Sequence, residues 1–349
     1  MARVFSFING STSLSTQLSC SSSSSCYRPM VVRMCQNQSY WASIESDIEA
    51  HLKKAITIRP PESVFEPMHY LTFATPKSTA PALCIAACEL VGGDRAQAMA
   101  AASAIHLMHV VTYTHQHMQS TLKESGPGPE SILGARSAIG HKKIDVELQD
   151  EDVSPARKNS NEILRSTGPE LEPAKGHKFG PNIELLTGDG IMPFAIELLA
   201  KDMSPARNNS DKILRVITEV TRAIGSQGML EGQYREIEWA RSGNGNEKLL
   251  EYACKKKEGE IHACGAVCGA ILGDGSEEEV ESLRKYGLYV GIIQGIINGV
   301  GRNYNKTMEK RVDELRVLAM KELNTSFKGK KLVRPIARLV EEFFVPLKM

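Results

Sequence analysis

The chain has 349 residues, of which 42% are hydrophobic and 24% charged, and its 42 basic and 41 acidic side chains leave a net charge of +1. That balance excludes a polybasic nucleic-acid binder and a protein drawn to anionic membranes by overall charge. No apolar run reaches the ~18 residues needed to span a bilayer, and few aromatics among many Ala, Leu, Glu and Lys favour helices over sheets.

The first forty residues stand apart. They hold 11 Ser and the arginines Arg3, Arg28 and Arg33, and the first acidic residue is Glu45. A Ser-rich, Arg-bearing, acid-free segment has the composition of an organelle transit peptide, whereas Phe5 to Ile8 is too short for the apolar core of a secretory signal. Residues 1–38 are therefore read as a disordered transit peptide, plastid ahead of mitochondrion and with an ordinary disordered tail as the alternative, and residues 39–349 as a single domain.

Trp41, Ile44, Ile48, Leu52 and Ile56 recur every three or four residues and form one apolar stripe. Acids precede Lys53 and Lys54 along it, as the helix dipole prefers. Pro60-Pro61 stops this helix, and a Pro-containing connector is expected to run to Lys77. Pro81 suits the first turn of a second helix, Pro81–Val91, ended by Gly92-Gly93. Asp94 is a candidate N-cap for a third, Ala-rich helix reaching about Met118.

From about 119 to 175 the periodicity fails. Gly-Pro-Gly-Pro and the acidic run Asp150-Glu151-Asp152 mark a disordered insertion. It holds half of an internal repeat, since DVSPARKNSNEILR (Asp152–Arg165) matches DMSPARNNSDKILR (Asp202–Arg215) at ten of fourteen positions. Two copies are too few for a solenoid, and the first is expected to loop off the core. Helical patterns resume near Asn182 with a segment that is apolar nearly all round. Ile213–Ile224, Lys248–Leu272, Glu277–Gly299 and Glu309–Asn324 follow, and the sum is an all-α bundle.

Four of the eight cysteines form two CxxxC pairs, Cys84/Cys88 and Cys264/Cys268, each on one helix face a turn apart. Three readings stay open. The pairs are disulfides, which helix geometry disfavours; or half of a zinc site, with His262 as the obvious extra ligand; or small, soft, buried residues that let two helices approach closely. His106, His109, His115 and His117 are either a metal cluster or ordinary packing histidines. Glu277-Glu278-Glu279 fits the first turn of a helix, with metal binding as the other reading for it and for Asp150-Glu151-Asp152.

PALCIAACELVGG (from Pro81), AMAAASAIHLMH, ELLTGDGIMPFAIELLA, GMLEGQ and HACGAVCGAILG, in that order over nearly all of Tyr40 to Asn324, resemble the trans-prenyltransferases, the isoprenyl diphosphate synthases. The resemblance implies an all-α isoprenoid-synthase-like bundle around a central cavity, and dimers. It also implies a chemistry for which this chain lacks the residues. Ionising an allylic diphosphate requires Mg²⁺ held by two Asp-rich motifs, while Arg and Lys clamp the second diphosphate. In place of the first Asp motif stand Thr114-His115-Gln116-His117-Met118-Gln119. In place of the second stands IQGIINGVG (Ile293–Gly301), and in place of GGKRxRP stands TPKSTAP (Thr75–Pro81), which keeps only Lys77. Gln233, Lys257, Gln294 and Asp189 also match. No catalytic residue and no metal ligand is therefore assigned.

The CxxxC pairs, together with SYWASIESDIEAHLKKAITIRPPESVFEPMHYLTFATP, resemble the type I small subunits of plant heteromeric geranyl(geranyl) diphosphate synthases. That resemblance implies a protein of the plastid stroma, inactive alone and binding no cofactor itself. It would assemble with a catalytic geranylgeranyl diphosphate synthase large subunit, as a heterodimer or heterotetramer, whose own sites carry Mg²⁺. It would shift the product of that subunit towards ten-carbon geranyl diphosphate. The resemblance places Cys84, Cys88, Cys264 and Cys268 at or near the subunit contact. The alternatives are a type II-like small subunit that raises geranylgeranyl diphosphate output, or an autonomous prenyl-diphosphate-binding protein using Lys77, Lys257 and Gln233.

Overall fold

A computed structural model describes residues 38–124, 178–203, 209–241, 246–300 and 305–341. The expected transit peptide apart from its last residue, the first repeat copy, Asp150-Glu151-Asp152 and most of the insertion lie outside the described residues. Among those described there is no strand, and the described residues form twelve α-helices.

The predicted stripe of α1 (Gln38–Ala55) is its buried face, with Trp41 at 3% exposure and Ile44 fully buried. Tyr40 donates from its hydroxyl to Glu89 at 2.6 Å, and Arg95 bridges Glu89 (2.8 Å) and Asp47 (2.6 Å), so the start of α1 is tied to α3 (Ala80–Val91) and α4 (Arg95–Glu124). α3 ends on Gly92 at φ +115°, a left-handed stop open to glycine. Asp94 caps α4 as expected: its carboxylate accepts from the Ala96 N–H at 2.8 Å, and the Gln97 side chain reaches back to the Asp94 N–H at 2.7 Å, a reciprocal capping box.

Four expectations need correction. The connector before Lys77 is largely a helix, α2 (Glu62–Ala74). It tolerates Pro67 because Met68, Leu71 and Thr72 bury one face against the core, so packing outweighs the lost hydrogen bond. Next, α4 runs past Met118 into the segment read as insertion, since no Gly or Pro interrupts the chain before Gly126. The helix expected over Lys248–Leu272 is present as one continuous helical run but contains a π turn (Lys255–Gly259) between α8 (Glu247–Cys254) and α9 (Glu260–Leu272). Finally, α7 (Met229–Arg241) and α12 (Val333–Glu341) lay outside the predicted list; α7 is a mostly polar helix and α12 is short.

α5 (Pro181–Lys201) and α6 (Ser210–Ile224) follow the described break after α4, and α10 (Glu277–Val300) and α11 (Lys306–Ser326) follow α9. α3 and α9 are the axis of the bundle: every residue of α9 from Ile261 to Leu272 is buried, and α3 packs along it. Their backbones touch because α9 carries Gly265 and Gly269 at the crossing. A Cβ on Gly265 would lie 2.5 Å from the Ala80 carbonyl oxygen, and one on Gly269 would lie 1.9 Å from that of Cys84. α10 covers the other side of α9. Its Tyr286, fully buried, donates to the Ile336 carbonyl at 2.7 Å and so holds α12. α6 is strapped to the same core by charge: Arg215 pairs with Glu277 through two bonds (2.6 and 2.7 Å), and Arg284 with the nearly buried Glu219 through two more (2.8 and 2.9 Å).

Candidate functional site

The segments that stand in place of GGKRxRP and of the second Asp motif meet in space. The strap Thr75–Thr79 between α2 and α3 lies against α4 and the α9–α10 pair, and the residues there are engaged with one another. His106 reaches the Thr72 carbonyl (3.0 Å) and His109 the Pro76 carbonyl (3.0 Å), so one α4 imidazole holds the last turn of α2 and the other the strap. At its end Thr79 contacts His262 Nε2 at 2.9 Å and Gln294 Oε1 at 2.8 Å. His262 Nδ1 in turn donates to the Glu258 carbonyl at 2.7 Å, inside the π turn. Both ring nitrogens of His262 are thus occupied by oxygen partners, as are the described contacts of His106 and His109. The side chain of His117 lies outside the described residues.

The cations that matched the family are occupied as well. Lys77 turns back to Glu45 (3.3 Å) and Glu49 (3.4 Å) on α1. Lys257 pairs with Glu236 of α7 at 3.0 Å. Burial works against its ammonium, but Glu236 and Glu258 together more than offset this, and its pKa lies above the ordinary lysine value. The π turn makes that pair possible by delivering Lys257 to Gly232, where a Cβ would stand 2.7 Å from the Lys257 nitrogen. Gln233 is buried, and Asp189 stands 3.9 Å from His115 across the α4–α5 contact.

These residues do not fit the Mg²⁺ that the fold family implies. A hard dication needs several converging oxygens, mostly carboxylates. Here the second motif offers the amide of Gln294, already bonded, and the first offers imidazole and amide near the lone carboxylate of Asp189. Among the described residues no group of three or more His, Cys, Asp or Glu converges on a common point. Glu277 and Glu279 are spent on Arg215 and Lys330, and Glu279 also completes a capping box with Ser276.

The four CxxxC cysteines lie in the protomer's interior, where α3, α9 and α6 meet. Cys84, Cys88 and Cys268 are fully buried and Cys264 is 4% exposed. They are free thiols: Cys264 Sγ and Cys268 Sγ are 3.7 Å apart, against about 2.05 Å for a disulfide. Cys88 donates to the Asp94 carbonyl (3.4 Å) and Cys268 to the Val216 carbonyl of α6 (4.0 Å). Burial pushes the Cys88 thiol up to about 12 and the Cys84 thiol well above its ordinary value; the Cys264 contact and burial do the same to Cys268. Nothing in this arrangement activates a nucleophile.

A second feature was only partly legible. α5, nearly all-round apolar in sequence, buries Gly188, Ile191, Ala195 and Leu199 but leaves Ile183, Leu185 and Leu186 outward, Leu186 at 65% exposure. Neighbouring α6 leaves Leu214 55% exposed. All-round hydrophobicity marks a helix that is covered on every side, whereas α5 is covered on one face and leaves the other exposed.

Buried histidines give the protein an acid sensitivity. Burial lowers the pKa of His106 to about 4 and depresses those of His109 and His262. The unfolded chain takes up protons near pH 6.5, which these rings refuse, so stability is full above pH 6.5 and falls as pH drops towards 4. The slope is up to about 1.4 kcal/mol per pH unit for each ring. The urea midpoint should therefore drop between pH 7 and pH 5, and His106→Gln should make that drop shallower; parallel slopes in the two proteins would refute the assignment.

The fold and site define an all-α bundle of the isoprenoid-synthase type whose catalytic positions have been refilled with internal contacts. No family model matches the chain. It is 42% identical over 323 residues to a heterodimeric geranylgeranyl pyrophosphate synthase small subunit of Cannabis sativa, a match spanning 89% of this chain and 96% of that protein. Among solved structures it is similar to the geranyl diphosphate synthase small subunit of Antirrhinum majus (47% identity, TM-score 0.66, 88% of this chain and 100% of the other). It is also similar to a chain of the mint heterotetrameric geranyl pyrophosphate synthase (45% identity, TM-score 0.66, 87% and 100%). The chain belongs to the small subunits of plant heteromeric geranyl(geranyl) diphosphate synthases.

Proposed function

We infer that the protein is a non-catalytic regulatory subunit. It assembles with a catalytic geranylgeranyl diphosphate synthase and shifts its product towards geranyl diphosphate. The observation that carries this reading is the pairing of a refilled catalytic centre with the exposed Ile183, Leu185 and Leu186 of α5 and Leu214 of α6. The described residues hold no carboxylate cradle for Mg²⁺, without which an allylic diphosphate is not ionised, while exposed leucines call for a partner. That partner is a subunit of related fold: the chain is 28% identical over 252 residues to a heterodimeric geranylgeranyl pyrophosphate synthase large subunit of Arabidopsis thaliana. The Mg²⁺ and the chemistry belong to the partner. Product length follows from how far the growing tail reaches into the partner's cavity, and a subunit that repacks the wall of that cavity, or speeds release of the short product, alters it.

The protein is a plastid protein, like its relatives named chloroplastic, and its place within the plastid is the stroma. A second reading, enhancement of geranylgeranyl diphosphate output, draws support from the word geranylgeranyl in the names of the curated small subunits. One experiment separates the two. The purified chain, with Mg²⁺, isopentenyl diphosphate and dimethylallyl diphosphate, should give no product. Added to a chloroplast geranylgeranyl diphosphate synthase, it should raise the ten-carbon fraction severalfold. Turnover by the chain alone would overturn the regulatory reading, and an unchanged product ratio with a higher rate would favour the second.

A further inference from the structure

We propose that the CxxxC cysteines are positioning residues that act from inside the protomer, setting the depth at which α6 stands behind its partner-binding face. The proposal rests on the reading that the chain binds a synthase. Its support is geometric. Each cysteine pair faces a glycine or a neighbouring backbone, and none faces solvent. Cys84 and Cys88 line the α3 side of the seam, where the missing Cβ of Gly269 leaves room for the Cys84 carbonyl (1.9 Å from that position) and the Cys88 nitrogen (3.0 Å). Cys264 and Cys268 precede Gly265 and Gly269 on α9, so the CxxxC pair there is interleaved with a GxxxG pair. Cys268 is the link outward: its thiol touches Cys264 on one side and points at the Val216 carbonyl of α6 on the other.

Two turns of sequence thus fix three helices. The glycines let α3 and α9 meet backbone to backbone, and the thiols fill the remaining gap with a volume larger than Ala and softer than Val. α6 then rides on Cys268 and on its charge pairs with α10, and presents Leu214 outward. A change in thiol volume moves α6, and the partner feels the change although it never touches sulfur.

The test uses the full chain, free and in complex with a chloroplast geranylgeranyl diphosphate synthase. N-ethylmaleimide labelling followed by mass spectrometry should find Cys84, Cys264 and Cys268 protected on the order of 100-fold relative to the unfolded chain, to the same degree in both states. Fast labelling in the free subunit with protection in the complex would put the thiols at the contact itself and overturn the proposal. In a second arm, Cys268→Ala should keep partner affinity within about threefold, and Cys268→Leu should lose about tenfold or more. Tyr286→Phe, which loosens α12 far from α6, should keep affinity even at an equal loss of Tm. Equal losses of affinity from Cys268→Leu and Tyr286→Phe would reduce the thiol to a merely structural group. If Cys268→Leu does not fold, Cys268→Met replaces it in the same comparison. Failure of the wild-type chain to bind any synthase would instead count against the proposed function, and the labelling of the free subunit would still read out the burial.

Discussion

Gly269→Ala should destabilise the protein by about 3 kcal/mol, the upper end of what one added methyl costs in a packed interior. The new Cβ would stand 1.9 Å from the Cys84 carbonyl oxygen, 2.8 Å from its carbon and 3.0 Å from the Cys88 nitrogen. All three are backbone atoms of a fully buried helix, so no rotamer change relieves the clash; α3 and α9 must part, opening a core filled by Leu83, Ala87 and Val267. Gly190→Ala is the control. Gly190 is in a helix with nothing within 4 Å of its Cβ position, so alanine there should be neutral or stabilise by up to about 1 kcal/mol through lost unfolded-state freedom. Urea midpoints of the two variants should move in opposite directions or differ widely, and similar small shifts would mean that the seam yields.

The second large effect falls on assembly rather than folding. Leu186→Asp should leave the free subunit's stability within about 0.5 kcal/mol, because that side chain already stands in water. It should weaken the complex on the order of 100-fold, since a carboxylate would be desolvated at an apolar contact without a partner. Titration of the variant against a fixed synthase, read by product chain length and by calorimetry, decides it. An unaltered affinity would move the partner face away from α5.

How legible was this in the sequence? The stripe of α1, the Asp94 cap and the Gly92 stop were readable because each depends on local chemistry, and local chemistry is what a sequence displays. α2 was lost because Pro67 reads as a breaker; only tertiary contacts through Met68 and Leu71 show why the helix survives it. The π turn was invisible for a related reason. Nothing in Lys255–Gly259 differs from ordinary helix former sequence except Gly259, and the cause lies in α7, where Gly232 and Glu236 draw Lys257 across. The loss of the Asp motifs was plain from residue identity alone. What took their place was not, because the pairing of Lys77 with α1, or of His262 with Thr79, joins residues far apart in the chain. The cysteine pairs show both sides: i and i+4 spacing gave their shared face, but their setting among α9 glycines and the α6 backbone appeared only in three dimensions.

Tyr40 and Trp41 carry one more consequence. The indole is 3% exposed and the phenol is bonded to Glu89, so both rings are part of the folded body although they stand two or three residues beyond the expected import signal. Trimming from the N-terminus is thereby bounded on its inner side: removal of Tyr40 and Trp41 would unroof the first helix and destabilise the chain.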